Sequence, residues 1–203
     1  MEKLKKTIGI IGAGNIGRTV AKHLSKAGHK ILLSNSRGPE TLNQTIEEIG
    51  NTATAVTTEE AAKADIVILA LPWATLNTLP ALTDWNGKLV IDATNHYISV
   101  SPEFITADLG DRASSEVVAD FVPGADLVKA FNTLYFKVLE EDPAYAGGKR
   151  VLFYSGGTAS GKQTTNDLIE SMGFSAIHLG NLATGSKLHQ AKGPLSGKNL
   201  IDL

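Results

Sequence analysis

The sequence predicts an α/β domain in which a mainly parallel sheet is covered by helices on both faces. Short apolar runs such as Asp65–Leu71 and Lys88–Asp92 alternate along the chain with helical patterns, as expected of strand–helix–strand units. The first of these runs is apolar almost throughout, which is typical of a strand buried on both faces. The length of 203 residues suits one such domain.

A glycine turn near the start of the chain carries the strongest functional signal. The apolar run Ile8–Ile11 leads into the sequence Gly-Ala-Gly-Asn-Ile-Gly, and an amphipathic helical pattern follows at once. In a Rossmann-like dinucleotide site, these glycines allow a tight turn, close approach of a pyrophosphate, and packing of helix on strand. The free N–H groups at the helix start favour the negative charge. We therefore predict nucleotide contacts at Gly12, Gly14, Asn15, Ile16 and Gly17.

The end of the second predicted strand, Lys30–Ser34, indicates which nucleotide binds. NAD-specific sites place Asp or Glu about 20 residues past the glycine turn, to hold the ribose 2′-hydroxyl. Here the sequence reads Asn35-Ser36-Arg37, and the first acid is Glu40. Ser36 and Arg37 offer hydrogen bonds and positive charge to a 2′-phosphate. We predict NADP(H), bound here by Asn35, Ser36 and Arg37; the alternative is a polar surface turn.

Three further loops follow predicted strands, and ligands of such sheets bind beyond the carboxyl ends of the strands. These loops, 70–73, 92–96 and 129–133, should converge with the glycine turn on one cleft. We expect the nicotinamide ring among Leu71, Pro72 and Trp73, with Thr94 and Asn95 also contacting the cofactor. The sequence does not identify a catalytic acid or base; the candidates are His96, Lys129 and Asn132.

Each of these candidates also has a purely structural interpretation. A histidine in a loop, such as His96, is more often a polar or positioning group than an acid–base catalyst. Lys129 is suited either to polarising a carbonyl or to pairing with an acid at a strand end. Trp73 equally fits packing on its own helix.

The other elements follow from the same patterns, and we expect one doubly wound domain over residues 1–203. It comprises a dinucleotide-binding core over 1–135 and a C-terminal strand–helix–strand unit with a short tail over 136–203. Further strands are predicted at Thr54–Val56, Asp126–Phe131, Arg150–Ser155 and Phe174–Leu179, and helices at Thr41–Ile49, from Thr58, at Ser115–Phe121 and at Gly161–Met172.

Composition excludes several classes of protein. The formal net charge of −2 argues against a nucleic-acid surface, which would carry a basic excess. The sequence has no cysteine, and its histidines lack metal-ligand spacing, so we expect no metal site. Lys3 and Lys5 precede an apolar run too short for a signal peptide, and no run approaches the roughly 18 residues of a membrane span. We expect a soluble, cytoplasmic protein.

Two other motifs are interpreted as accidental. The loop Gly156–Gln163 nearly matches a phosphate-binding P-loop but ends in Gln where Ser or Thr is needed, so we predict a turn capped by Thr158 or Ser160. Tyr145 and Lys149 have the spacing used by short-chain dehydrogenases, but the intervening Gly147-Gly148 would break the required helix.

These motifs together resemble the NADP oxidoreductases that depend on the deazaflavin coenzyme F-420. The resemblance rests on the glycine turn, Ser36-Arg37, Leu71–Trp73 and Thr94-Asn95, and it covers most of the chain. Related domains occur in pyrroline-5-carboxylate reductases and in the cytoplasmic part of membrane metalloreductases. The chain departs from the archaeal enzymes in the loop 131–133, where they carry a histidine, and at the C-terminal end.

The resemblance implies a Rossmann-like domain that binds the 2′-phosphate through Ser36 and Arg37. It also implies direct hydride transfer between NADPH and coenzyme F-420 or a flavin, with the two rings stacked about 3–3.5 Å apart. Two alternatives remain open: an NADPH-dependent imine or carbonyl reductase, with His96, Tyr97, Tyr135 or Lys129 as proton donor, and a non-catalytic NADP(H) sensor. We expect a small-molecule redox acceptor as partner and a homodimer.

Overall fold

The central sheet is built outward from the first strand of the chain. The structure is a computed structural model that describes residues 6–203, so Lys3 and Lys5 lie outside the described residues. The strands within that range are β1 (Thr7–Ile11), β2 (Lys30–Ser34), β3 (Ala53–Ala55), β4 (Ile66–Leu69), β5 (Leu89–Asp92), β6 (Tyr97–Ser99), β7 (Ile105–Thr106), β8 (Asp126–Ala130), β9 (Ala144–Tyr145), β10 (Gly148–Gly156), β11 (Ser175–His178) and β12 (Ile201–Asp202).

The helices follow the strands in the alternation that the sequence predicts. The α-helices are α1 (Asn15–Lys26), α2 (Asn43–Ile49), α3 (Thr58–Ala62), α4 (Ser114–Ala119), α5 (Phe136–Glu140), α6 (Ala159–Ser171) and α7 (Leu182–His189). Two 3₁₀ helices, Pro39–Leu42 and Trp73–Ala81, are added to these. No helix in the described part of the chain is both long and apolar enough to cross a membrane.

The strand order confirms the predicted fold class. The main path of the sheet runs β11-β10-β8-β5-β4-β1-β2-β3. All neighbours along it are parallel except β10, which runs antiparallel to β8 and parallel to β11. The carboxyl ends of β1, β4, β5 and β8 therefore lie at one edge of the sheet, where ligands of this fold bind.

Strand β4 shows why the sheet needs helices on both faces. Its four residues are all buried, and they alternate between two apolar cores. Ile66 and Ile68 pack with Val20 and Leu24 of α1, whereas the alternate residues Val67 and Leu69 pack on the opposite side. That opposite core includes Ala61 of α3, Leu79 of the second 3₁₀ helix and Val118 of α4.

Local signals place most elements within about two residues of their predicted bounds. Helix α3 begins after Thr57, whose hydroxyl accepts from the Glu60 N–H while the Glu60 carboxylate accepts from the Thr57 N–H. This reciprocal capping box explains the helix start that the acidic first turn predicts.

Helix α7 is not evident from the sequence, because small residues occupy its interior. A Cβ atom added to Gly185 would lie 2.5 Å from the carbonyl oxygen of Leu179 and 2.8 Å from the Cβ of Ser155. Glycine therefore costs helix propensity here but allows α7 to pack closely on β10. The Asn181 side chain caps the helix by accepting from the Thr184 N–H at 2.9 Å.

Candidate functional site

Two of the three glycines in the first turn are required by the fold itself. Gly12 has a φ of 112°, and a Cβ atom there would run into the carbonyl oxygen of Ala70. A Cβ atom at Gly17 would run into the carbonyl oxygen of Gly12. These contacts bring the start of α1 against the turn and against the loop that follows β4.

Gly14 differs, because nothing in the protein requires glycine there. Its φ of −74° is open to any residue, and an added Cβ atom would meet nothing within 4 Å. The first turn of α1 has no side-chain cap at Gly14 and no acidic residue. The backbone N–H groups of this turn thus face an open, uncapped cradle, which fits a pyrophosphate.

The turn after β2 is held by the side chain of Asn35. Its Oδ1 accepts from the backbone N–H of Arg37 at 2.9 Å, and its Nδ2 donates to the Thr41 hydroxyl at 2.9 Å. Ser36 and the Arg37 side chain are exposed. The nearest acid in the sequence, Glu40, lies in the 3₁₀ helix with its carboxylate against Gly38. The end of β2 thus presents a serine and an arginine, while the Asn35 side chain is hydrogen-bonded within the loop.

The predicted loops meet at the carboxyl edge of the sheet. The rings of Trp73 and His96 are in edge contact, with centroids 6.0 Å apart. Asn95 Nδ2 donates to the carbonyl oxygen of Asn132 at 3.1 Å, and Asn132 Nδ2 donates to Asn95 Oδ1 at 3.2 Å. Phe131, the residue before Asn132, is buried and has a φ of 65°, a strained conformation for a residue other than glycine.

A buried ion pair lies beneath these loops. Lys129 on β8 and Asp92 on β5 are register partners, are fully buried, and approach to 3.1 Å. Asp92 also accepts from the N–H of Thr94 at 2.8 Å, from its hydroxyl at 2.6 Å, and from the Ser115 hydroxyl. Lys129 donates in addition to the Thr94 carbonyl oxygen at 3.0 Å. Of the two interpretations of Lys129, the structure shows the paired one.

His96 is buried rather than a surface group. It is 6% exposed, and its Nδ1 has no hydrogen-bond partner among the described residues. Burial lowers the pKa of His96, and the positive charges of Lys129 and Lys192 lower it further. The imidazole is therefore held in its neutral form.

A second histidine, His189 at the end of α7, completes the cluster and was not anticipated from the sequence. Its carbonyl oxygen accepts from Asn132 Nδ2 at 2.7 Å, and its Nε2 lies 2.9 Å from the Ser155 hydroxyl. Burial, with a smaller contribution from Lys129, lowers the pKa of His189 to about 3. The residues that His189 contacts, Asn132 and Ser155, are distant from it in the chain. The sequence therefore offers only an indirect signal, the Asn181 cap that starts α7.

The first of the two accidental motifs has the capping role predicted for it. Asp126 accepts from both the N–H and the hydroxyl of Thr158 at 2.6 Å, and Thr158 caps α6. A carboxylate therefore occupies the place where a P-loop would bind phosphate. Tyr145 and Lys149 lie on the two strands of the β9–β10 hairpin, not on a helix.

The sheet order and the glycine turn define a Rossmann-like domain. Residues 7–96 match the family described as NADP oxidoreductase, coenzyme F420-dependent, which agrees with the resemblance drawn from the sequence. The family and its structural neighbours support NADP(H) as the nucleotide.

Similar proteins extend the match beyond that region. A hypothetical protein from Sinorhizobium meliloti is 38% identical, with a TM-score of 0.91 over 100% of this chain and 98% of that chain. A candidate F420-dependent NADP reductase from Arthrobacter sp. FB24 is 25% identical, with a TM-score of 0.76 over 89% and 86% of the two chains. Rat metalloreductase STEAP3 is 25% identical over 89% of this chain and 35% of its own length. Among the first curated relatives, this chain spans only 35% to 49% of their length.

The glycines provide a test that separates ligand binding from folding. We expect Gly14→Ala to change the free energy of unfolding by less than about 0.5 kcal/mol while weakening NADP⁺ about tenfold or more, because its methyl group occupies the cradle. Gly17→Ala should lower that free energy by about 1–3 kcal/mol through its clash with Gly12. Urea unfolding and calorimetric titration measure both. Normal NADP⁺ affinity in Gly14→Ala would contradict the assignment.

The buried ion pair provides a test of stability. Lys129→Met leaves Asp92 buried without its cation, so the free energy of unfolding should fall by about 3–5 kcal/mol. The control Lys22→Met removes a lysine that lies 3.5 Å from Glu140 at the surface, and it should cost less than about 1 kcal/mol. Similar losses of unfolding free energy in the two variants, measured by urea unfolding, would show that the buried pair stabilises the protein no more than a surface pair does.

Proposed function

We propose that the protein transfers a hydride between NADPH and a planar redox acceptor of the flavin or deazaflavin type. The observation that carries this proposal is that the lysine and the two histidines beneath the cleft are poorly suited to donate a proton. Lys129 is held in its ion pair with Asp92. The pKa values of His96 and His189 are lowered, so both imidazoles are neutral and are poor proton donors. Imine or carbonyl reduction needs a proton donor at the reacting atom, whereas transfer between two stacked rings depends on their alignment.

The nucleotide is proposed to lie across the carboxyl edge of the sheet. Its pyrophosphate is assigned to the cradle at Gly14 and the first N–H groups of α1, and its 2′-phosphate to Ser36 and Arg37. The open space at Gly14 and the exposed side chains after β2 support this placement. The absence of an acid at the end of β2 favours NADP(H) over NAD(H).

The nicotinamide ring is proposed to lie among Leu71, Pro72 and Trp73, beside Thr94 and Asn95. NADPH bound there would supply the hydride from this ring, leaving NADP⁺, and the proton that the acceptor needs would come from solvent. The chain's contribution is positioning: the ion pair fixes Thr94, and the bonds between Asn95 and Asn132 fix the two loops relative to each other. Such fixing of reacting groups is a major source of rate in transfers of this kind.

We further propose that the described chain works as one unit. Helix α7 comes from the C-terminal part, yet His189 contacts Asn132 in the N-terminal part. A truncated protein that ends near residue 135 would therefore lack the His189 contact that supports the candidate site.

Nucleotide preference tests the role of Arg37. Arg37→Ala should weaken the binding of NADPH by about 1.5–3 kcal/mol, because a charge-assisted hydrogen bond to the 2′-phosphate is lost. The binding of NADH should be almost unchanged. Lys26→Ala, which removes one positive charge at the other end of α1, serves as the control and should affect neither nucleotide. Calorimetry measures both dissociation constants. Equal weakening of NADPH and NADH in Arg37→Ala would contradict the proposal.

The reaction itself is tested by stopped-flow oxidation of NADPH with flavins, a deazaflavin, quinones and small imines. We expect turnover with the flavins or the deazaflavin, and retention of most of it when His96 and Tyr97 are replaced by Gln and Phe. Loss of activity in that double variant together with imine turnover by the wild type would favour an imine or carbonyl reductase. Tight NADPH binding without oxidation by any acceptor would favour a sensor.

A further inference from the structure

A polar cavity of about 370 Å³ lies next to the candidate cleft and shares His96 with it. Its wall is formed by His96, Thr106, the turn Ala107–Gly110, Arg112 and Gln190. Its volume is near the lower end of the range for small-ligand pockets, so it suits part of a ligand rather than a whole dinucleotide.

His96 connects this cavity to the cleft. One side of the imidazole contacts Trp73, beside which the nicotinamide ring is proposed to lie, and the same residue lines the cavity. The backbone carbonyl oxygen of His96 also accepts from the N–H of Ala107 at 2.8 Å, which holds the cavity turn against the end of the 92–96 loop. A group bound in the cavity is thus adjacent to the proposed nicotinamide position.

The cationic residue of the cavity wall, Arg112, is already paired, and Asp108 adds a carboxylate to the wall. The guanidinium of Arg112 is engaged by both carboxylate oxygens of Asp120 at 2.8 and 3.0 Å and by the carbonyl oxygen of Glu116 at 2.5 Å. His96 is held neutral by burial. Asp108 is exposed at the wall, and its Oδ1 accepts from the Gly110 N–H at 3.0 Å. The remaining carboxylate oxygen is a strong acceptor and repels phosphates and carboxylates.

The uncharged groups of the wall add hydrogen-bond donors beside that acceptor. Gln190 uses its Oε1 to accept from the Ser114 N–H at 2.8 Å, which turns its amide into a positioned N–H₂ donor. Thr106 contributes a hydroxyl. The wall therefore combines a carboxylate that accepts from an N–H with groups that donate to carbonyl oxygens.

We propose that this cavity binds the cyclic imide edge of the hydride acceptor, the –CO–NH–CO– group that flavins and deazaflavins share. Its N–H donates to Asp108, and its carbonyl oxygens accept from Gln190 and Thr106. This inference rests on the proposed function, and it assigns Asp108 as a residue that determines acceptor specificity. It excludes quinones without such an edge as good acceptors.

The test compares riboflavin with N3-methylriboflavin, in which a methyl group replaces the imide N–H. Wild-type kcat/KM should favour riboflavin by about three- to tenfold, the range for loss of one hydrogen bond. Asp108→Asn keeps an oxygen for the Gly110 N–H but lacks the anionic acceptor, so it should reduce that preference to near unity. The matched control is Asp111→Asn, directly after the same turn but outside the cavity wall, and it should retain the wild-type preference.

The outcomes separate the inference from the proposed function. Equal reduction of the two flavins by the wild type, or an unchanged preference in Asp108→Asn, would overturn the inference while hydride transfer stands. If no flavin or deazaflavin is reduced, the proposed function fails. Binding of an imide in the cavity is then tested by itself. Lumichrome, a redox-inert probe with the same imide, should then shift the NMR signals of the Thr106, Gly110 and Gln190 amides; unshifted signals would overturn the assignment.

Discussion

The ion pair between Asp92 and Lys129 is the interaction on which the candidate site depends. Both side chains are fully buried, and they join the carboxyl ends of β5 and β8 at the point where the functional loops begin. Charges without access to water require partners, and here nearly every oxygen and N–H of the pair is directed at Thr94, Ser115 or the opposite ion. Burial, together with the nearby charge of Lys129, lowers the pKa values of His96 and His189 and favours their neutral forms.

The glycine turn lies at the same edge of the sheet as this ion pair, and its three glycines are needed for different reasons. Gly12 and Gly17 satisfy close contacts inside the protein, whereas Gly14 borders open space. An internal requirement and a ligand requirement can thus be told apart within one motif. The same reasoning explains why the late glycine-rich loop is not a second nucleotide site, since Asp126 already fills it with a carboxylate.

The sequence was sufficient to predict features that depend on neighbouring residues, and insufficient for those that depend on register and on distant contacts. Apolar runs locate β4 and β5, and the family match confirms the resemblance drawn from the glycine turn and the Ser36-Arg37 pair. Pairing of Lys129 with an acid was one of two interpretations, but the choice of Asp92 depends on how β5 aligns with β8. His189 lies in a helix with glycine in its interior, and its contact with Asn132 spans 57 positions of the chain, so no local pattern reveals it.

A structure of the protein with NADP⁺ bound tests the central claim most directly, namely that the nucleotide lies across the carboxyl edge of the sheet. The pyrophosphate is expected against the N–H groups of Asn15 and Ile16, and the 2′-phosphate within hydrogen-bond distance of Arg37. A nucleotide bound elsewhere, or a 2′-phosphate pointing into solvent away from Ser36 and Arg37, would contradict it.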